Sequence, residues 1–314
     1  MKLVFFGGEP LIDKATIYNL SKELIGICDE RQITYSAKII TNGFLVDDES
    51  SREMRELRIM EAQVTIDGVP ETHNKRRSLR QAVAGSCDTY DTILENVNLL
   101  NAHGIFVHVR FNVDRENVHA IDDFVTTMAY RIHQHELVNL HLAPVMQLAE
   151  RHKANQNLLT SQEFALHEVN FFRLCIENGF SHSLKSRYPS FRMCSAGNYH
   201  NYIVSPSGDL FQCVEDLSDE RYAVGNVTQN EEDIIDFQAI NAKKWRDYSI
   251  LQDETCLHCK MLPFCVSECP RNRLYFGKKN CVDARIKLTE LIKFFSQLDA
   301  PSLKNIFQGG NFNV

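Results

Sequence analysis

Along the first 145 residues, short apolar runs alternate with longer stretches whose apolar positions recur at intervals of three and four. Residues 2–6 hold Leu-Val-Phe-Phe after a lysine and read as a buried strand. Residues 33–40 alternate, and 61–66, 105–113 and 138–145 are further runs of strand length. Between them, residues 13–30 set Ile17, Leu20, Leu24 and Ile27 on one helical stripe. Residues 49–59 read as a helix, and 90–103 as another with Gly104 in the C′ position. Residues 120–134 carry Ile121, Phe124, Val125, Met128 and Ile132 on one helical face. Strands alternating with helices predict a parallel sheet flanked by helices, with ligands at the carboxyl ends of the strands.

Turn signals fall where that rule puts a site. Gly7-Gly8-Glu9-Pro10 closes the first strand, and paired glycines there admit close approach to the backbone. Thr41-Asn42-Gly43 closes the second, and Asp67-Gly68 the third. Each is also an ordinary tight turn, and Asp67 reads equally as a turn cap. Arg110 stands inside an apolar strand and needs a partner there. A rim salt bridge is its plain reading, a ligand carboxylate its functional one.

The second half is patterned differently. Residues 146–160 are polar, and Thr160-x-x-Glu163 is a capping box that opens a helix to about residue 178. Cys175 on that helix reads as a core residue, with an additional metal ligand as the alternative. Residues 199–204 and 210–215 read as strands joined at Pro206-Ser207-Gly208-Asp209, a hairpin. Residues 287–298 form a closing helix and the tail beyond Pro301 is loose. The expected organisation is 1–150, an α/β domain; 151–189, a linker and helix; 190–298, a cysteine-rich domain; and 299–314, a tail.

Composition narrows the class. A 44% hydrophobic content supplies a core, and a net charge of −7 argues against general nucleic-acid binding. Apolar runs stay short of a membrane span, and the chain opens without a signal-peptide pattern, so a cytoplasmic protein is expected. Cysteines change the picture most. Cys194, Cys213, Cys256, Cys259, Cys265, Cys269 and Cys281 fall within 88 positions, against three cysteines in residues 1–193. Disulfides are uncommon in the cytosol. Zinc takes four ligands, and seven thiols are one short of two closed sites. Four plus three suits two iron–sulfur clusters, one of them with an iron open to a further ligand.

Cys194-x13-Gly208-x4-Cys213, Cys256-x2-Cys259-x5-Cys265-x3-Cys269 and Cys281 resemble the seven-cysteine SPASM pattern throughout. Gly7, Gly8, Glu9 and Pro10 resemble the GGEP motif of radical SAM proteins, and Thr41-Asn42-Gly43 their TNG turn. Thr65-Ile66-Asp67-Gly68 with His73 and Arg77 is similar to the S-x-D-G…H-x-x-x-R segment of sulfatase and peptide maturases, Thr65 keeping a hydroxyl. His73 is also readable as a surface histidine. The resemblance implies a partial (β/α)6 radical SAM barrel, strands two to six, followed by a small SPASM domain with a β-hairpin. It implies that Gly7, Gly8, Glu9, Pro10, Thr41, Asn42, Thr65, Arg77 and Arg110 surround S-adenosylmethionine (SAM). By the same pattern Cys256, Cys259, Cys265 and Cys281 hold one auxiliary [4Fe-4S] cluster, and Cys194, Cys213 and Cys269 the other. Sulfatase maturases place an aspartate directly after the hairpin cysteine; here Val214 stands there, with Glu215 and Asp216 following as candidate bases.

The 314 residues contain no CxxxCxxC triplet, the loop that holds the SAM-cleaving cluster in this family. The expectation is therefore the C-terminal part of a radical SAM/SPASM enzyme that modifies a peptide or protein side chain through a 5′-deoxyadenosyl radical. A third cluster and SAM would accompany only the complete form, fed by a reductant such as a flavodoxin or ferredoxin. The alternative is a non-catalytic module that keeps its auxiliary clusters for peptide binding or electron transfer. Without a first barrel strand, residues 3–6 should lie at an exposed sheet edge.

Overall fold

Five strands form one parallel sheet in sequence order: β1 (Lys2–Phe5), β2 (Ser36–Thr41), β3 (Ile59–Thr65), β4 (Phe106–Val113) and β5 (Val138–Pro144). The structure is a computed structural model and describes residues 1–77, 88–145, 157–180, 194–198, 200–217, 219–228, 234, 240–262, 269–277 and 284–298. The chain divides into two compact units, residues 1–186 with 290–314, and residues 187–289.

In the first unit the strands are joined by α1 (Lys14–Glu30), α2 (Asp48–Glu56), α3 (Pro70–Arg76), α4 (Thr89–Ala102) and α5 (Ile121–Arg131), and α6 (Ser161–Glu177) follows β5. The α/β class and parallel order follow the sequence pattern. Alternation decides which side chains face the helices. Ala37, Ile39, Ala62, Val64, Val107, Val109, Phe111 and Val113 are buried on that face. Phe111 meets Phe124 of α5 with ring centroids 4.7 Å apart. The predicted face of α5 is buried as expected: Ile121, Phe124, Val125, Met128 and Ile132. The capping box of Thr160 and Glu163 is present, and Cys175 is fully buried.

Other expectations need correction. In α1 the buried face is Ile17, Tyr18, Ser21 and Cys28, whereas Leu20 and Ile27 are exposed. The second strand starts at Ser36, so Ile33 lies outside it and is exposed. The helix expected at 49–59 stops at Glu56, because Arg58 takes a left-handed backbone (φ 56) and Ile59 already begins β3. Gly104 does adopt the positive φ (72) of a C′ residue. Among the described residues β1 pairs with β2 alone, and Val4 and Phe6 are exposed, as expected for an edge.

The second unit has a three-stranded antiparallel sheet, β6 (Ile203–Val204), β7 (Asp209–Phe211) and β8 (Gly225–Asn226), in that order. Both hairpin strands are shorter than expected. The third strand, β8, pairs Asn226 with Asp209 and Gly225 with Leu210. Gly208 turns the hairpin at φ 89, where an added Cβ would meet Asn226 Oδ1 at 3.2 Å. Among the described residues, α7 (Ile240–Asp247), α8 (Glu254–Leu257), α9 (Pro270–Phe276) and α10 (Ala284–Phe295) follow the sheet. The last begins three residues before the predicted 287. Among the described residues no helix is long and apolar enough to cross a membrane.

Candidate functional site

The three glycine turns do line the carboxyl edge of the parallel sheet. Glu9 ties the first to the second. Its Oε1 accepts the Leu11 N–H at 3.0 Å and the Thr41 hydroxyl at 2.7 Å, and its Oε2 accepts the Asn42 N–H at 2.7 Å. Thr41 Oγ1 in turn accepts the Gly43 N–H at 3.0 Å. Gly43 has φ 80, and a Cβ there would stand 2.8 Å from Val64 Cγ1, so the turn needs glycine. A Cβ at Gly7 or Gly8 would meet nothing within 4 Å, so that backbone is open to a ligand.

A second network gathers at the ends of β3 and β4. Asp67 is buried at 5% exposure. Its Oδ2 accepts Arg77 Nε–H at 2.8 Å, and its Oδ1 accepts the Asn112 N–H and side-chain amide, each at 3.1 Å. Arg110 Nε donates to Asn112 Oδ1 at 2.8 Å. Thus Arg77, Asp67, Asn112 and Arg110 form one chain of charge and hydrogen bonds. Thr65 is buried on β3, in register with Arg110. His73 is wholly buried, which corrects its reading as a surface residue. Its Nδ1 accepts the Asp67 N–H at 3.1 Å, its ring meets Tyr90 edge-on, and burial holds its pKa down at about 4. His73 and Arg77, one helical turn apart, therefore grip the backbone and the carboxylate of the same aspartate.

On the other face of the sheet the sequence singled out Thr65 and Arg110. The structure shows a polar ladder across it. Lys2 Nζ donates to Glu61 Oε1 at 2.8 Å, His108 Nε2 lies 3.2 Å from Glu61 Oε2, and Lys38 Nζ is 4.0 Å from it. The Asn139 amide reaches His108 Nδ1 at 3.1 Å. The hydrogen bond from His108, followed by those from Lys2, brings the Glu61 carboxyl down to about 2, and burial lowers Lys38. The sequence shows one charged residue in each of β2 and β3, Lys38 and Glu61, and His108 and Arg110 in β4.

In the second unit the thiols Cys194, Cys213, Cys256, Cys259 and Cys269 are all free. Cys265, Cys281 and Cys87 lie outside the described residues, as does the tail. Cys194 and Cys213 share a core with Ala196, Leu210, Val224 and Trp245. Burial pushes the Cys213 thiol up to about 12. Cys269 caps α9, and Pro270 is its first residue. Two arginines of α9 point about 200° apart around the helix. Arg271 Nε donates to Asp216 Oδ1 at 2.6 Å, and its guanidinium lies over the rings of Tyr222 and Phe276. Arg273 donates to Asp253 Oδ2 at 2.9 Å and to Cys256 Sγ at 3.0 Å. One short helix therefore connects the segments that carry Cys213, Cys256 and Cys269. Among the described residues no three His, Cys, Asp or Glu groups converge as a single-ion site. The donor set is thiol-only, with N–H donors already aimed at sulfur, which suits a cluster whose thiolates bind separate irons.

Asp216 follows the end of β7 in a 3-10 turn, Val214–Asp216, and is fully buried, with Oδ2 unpartnered among the described residues. Glu215 is half-buried.

No family model matches the chain. A 119-residue stretch, 38% of this chain, is 30% identical to Fe-coproporphyrin III synthase of Methanosarcina barkeri and spans only 26% of that protein. The solved structure of native anSMEcpe with bound AdoMet and Cp18Cys peptide matches 98% of this chain and 86% of its own, with TM-score 0.68 and 15% identity. Streptococcus suis SuiB bound to S-adenosylmethionine matches 85% of this chain and 61% of its own, with TM-score 0.55 and 13% identity. At such identities the likeness is one of fold. The chain shares the α/β fold of these solved proteins, with its five-stranded parallel sheet flanked by helices.

Proposed function

We propose that this chain is the C-terminal part of a radical SAM/SPASM enzyme acting on a peptide or protein side chain, with auxiliary [4Fe-4S] clusters in its second unit. The observation that carries the reading is the alignment of three glycine turns on one sheet edge, the first two joined by Glu9 and the third held by Asp67 to Arg77 and Asn112, in a chain that also holds the seven-cysteine pattern. When bound, SAM together with an iron–sulfur cluster would supply radical chemistry for hydrogen abstraction from the substrate. The chain's own residues position. The open backbone at Gly7 and Gly8 takes the ligand's polar end, Thr65 offers a hydroxyl, and Arg77 and Arg110 offer positive charge for a carboxylate. Glu9 braces two turns so that they keep their spacing. A CxxxCxxC loop from outside these 314 residues is required for SAM cleavage.

A peptide substrate is supported by the fold likeness to proteins solved with Cp18Cys peptide and with precursor peptide SuiA. Val214 in place of an aspartate argues for peptide maturation over sulfatase activation. Asp216 is the better candidate proton acceptor: burial pushes its carboxyl up while Arg271 opposes, and Oδ2 has no protein partner among the described residues. Anaerobic purification should give a brown protein with about eight irons per chain, from two four-iron clusters. A colourless protein with stoichiometric zinc overturns the proposal, and formylglycine formation on a sulfatase peptide by the complete enzyme overturns the peptide assignment.

A further inference from the structure

Arg273 is held in α9 by two hydrogen bonds that fix its guanidinium. Its side chain is 10% exposed. One arm of the guanidinium donates to Asp253 Oδ2 at 2.9 Å, and the other donates to Cys256 Sγ at 3.0 Å. Asp253 is itself fixed, because it caps α8 by accepting the N–H groups of Thr255 and Cys256. Asp253 therefore grips both the backbone of Cys256 and the cation that meets its sulfur. An arginine that served only to pair with Asp253 would have no need to reach a thiol.

We infer that Arg273 is a positioning and tuning residue for the iron–sulfur cluster bound through Cys256, and that the Asp253 carboxylate sets how much of its positive charge the sulfur feels. This rests on the cluster reading above. A hydrogen bond and a cation at a ligand sulfur stabilise the reduced, more negative cluster and raise its reduction potential. Removing the guanidinium should therefore lower the potential. Removing the charge of Asp253 leaves the guanidinium less neutralised and should raise it. Asn remains a good helix cap, so Asp253→Asn keeps the backbone contacts of α8.

The test uses the full chain, reconstituted anaerobically with iron and sulfide, with iron counted per chain. The potential of each cluster is then read by redox titration followed by electron paramagnetic resonance. Arg273→Gln should shift one cluster to lower potential, Arg273→Lys should shift it less, and Asp253→Asn should shift the same cluster upward. Opposite signs at unchanged iron content are what a purely structural role would not produce. Unchanged potentials in both variants, or shifts of the same sign, overturn the inference while leaving the clusters in place. Loss of iron in both Arg273 variants together with an unshifted Asp253→Asn also overturns it and makes Arg273 a folding residue. Absence of iron from the unaltered chain removes the cluster reading and this inference together.

Discussion

Glu9 and Asn42 are 33 residues apart in sequence, and the carboxylate of one accepts the backbone N–H of the other at 2.7 Å. With the Thr41 hydroxyl on its other oxygen, Glu9 makes two strand-end turns into one element. Glu9→Ala should destabilise the first unit by about 2–3 kcal/mol, since hydrogen bonds to a charged acceptor contribute about 1.5–3 each and do not add fully. Thr41→Val removes one neutral donor and should cost about 1 kcal/mol. Urea unfolding measures both; equal effects would show that the carboxylate is not the brace.

His73 makes stability depend on pH. Its folded pKa, about 4, lies below the ordinary 6.5 because burial disfavours the cation. Between these values the unfolded chain binds a proton and the folded one does not. The contribution is thus complete above 6.5 and lost as pH falls toward 4. Stability should drop by about 2 kcal/mol from pH 7 to pH 5 through this group alone. His73→Asn keeps an acceptor for the Asp67 N–H and should flatten that part of the profile. An unaltered profile would mean that His73 titrates normally.

Asp67 and Arg77 should be energetically coupled. A double-mutant cycle of Asp67→Asn and Arg77→Met should return a coupling of about 1–3 kcal/mol, the range for a charge-assisted pair. Arg77 is 30% exposed on its side chain, which places the value toward the lower end. Simple additivity would separate the two residues.

Residues 1–314 alone should bind SAM weakly and release no 5′-deoxyadenosine. The hydrogen bonds that the strand-end residues can offer net about 0.5–3 kcal/mol each, and immobilising the ligand offsets much of that. Reconstitution with iron, sulfide, dithionite and SAM, followed by chromatography, checks it. Repeated turnover would show that a cluster of the second unit can serve the cleavage.

The parallel sheet was legible because short strand-length runs alternate with helix-period stretches along the first 145 residues. The turns at Gly43 and Gly68 were legible because few other residues adopt their positive φ. The face of α1 was not. Two stripes share Ile17 and Leu24, one continuing through Leu20 and Ile27, the other through Ser21 and Cys28. Spacing cannot choose between them. The structure takes the second, where Tyr35 Oη donates to Ser21 Oγ at 3.4 Å. His73 was hidden for a related reason: in Pro-Glu-Thr-His-Asn-Lys-Arg nothing apolar marks an inward face, and only its spacing from Arg77 was a clue. Lys38, Glu61 and His108 each looked like a single polar interruption, because partners on neighbouring strands are invisible until register is known.

That ladder also acts as a key for assembly. Shifting β3 by one residue against β2 would send Glu61 to the helix-covered side and leave Met60 or Ala62 opposite Lys38. A carboxylate would then enter an apolar layer while a lysine and a histidine lost their anion. In a sheet of otherwise interchangeable valines, isoleucines and alanines, Glu61 makes the wrong alignments expensive, so the strand-end turns meet at the same level.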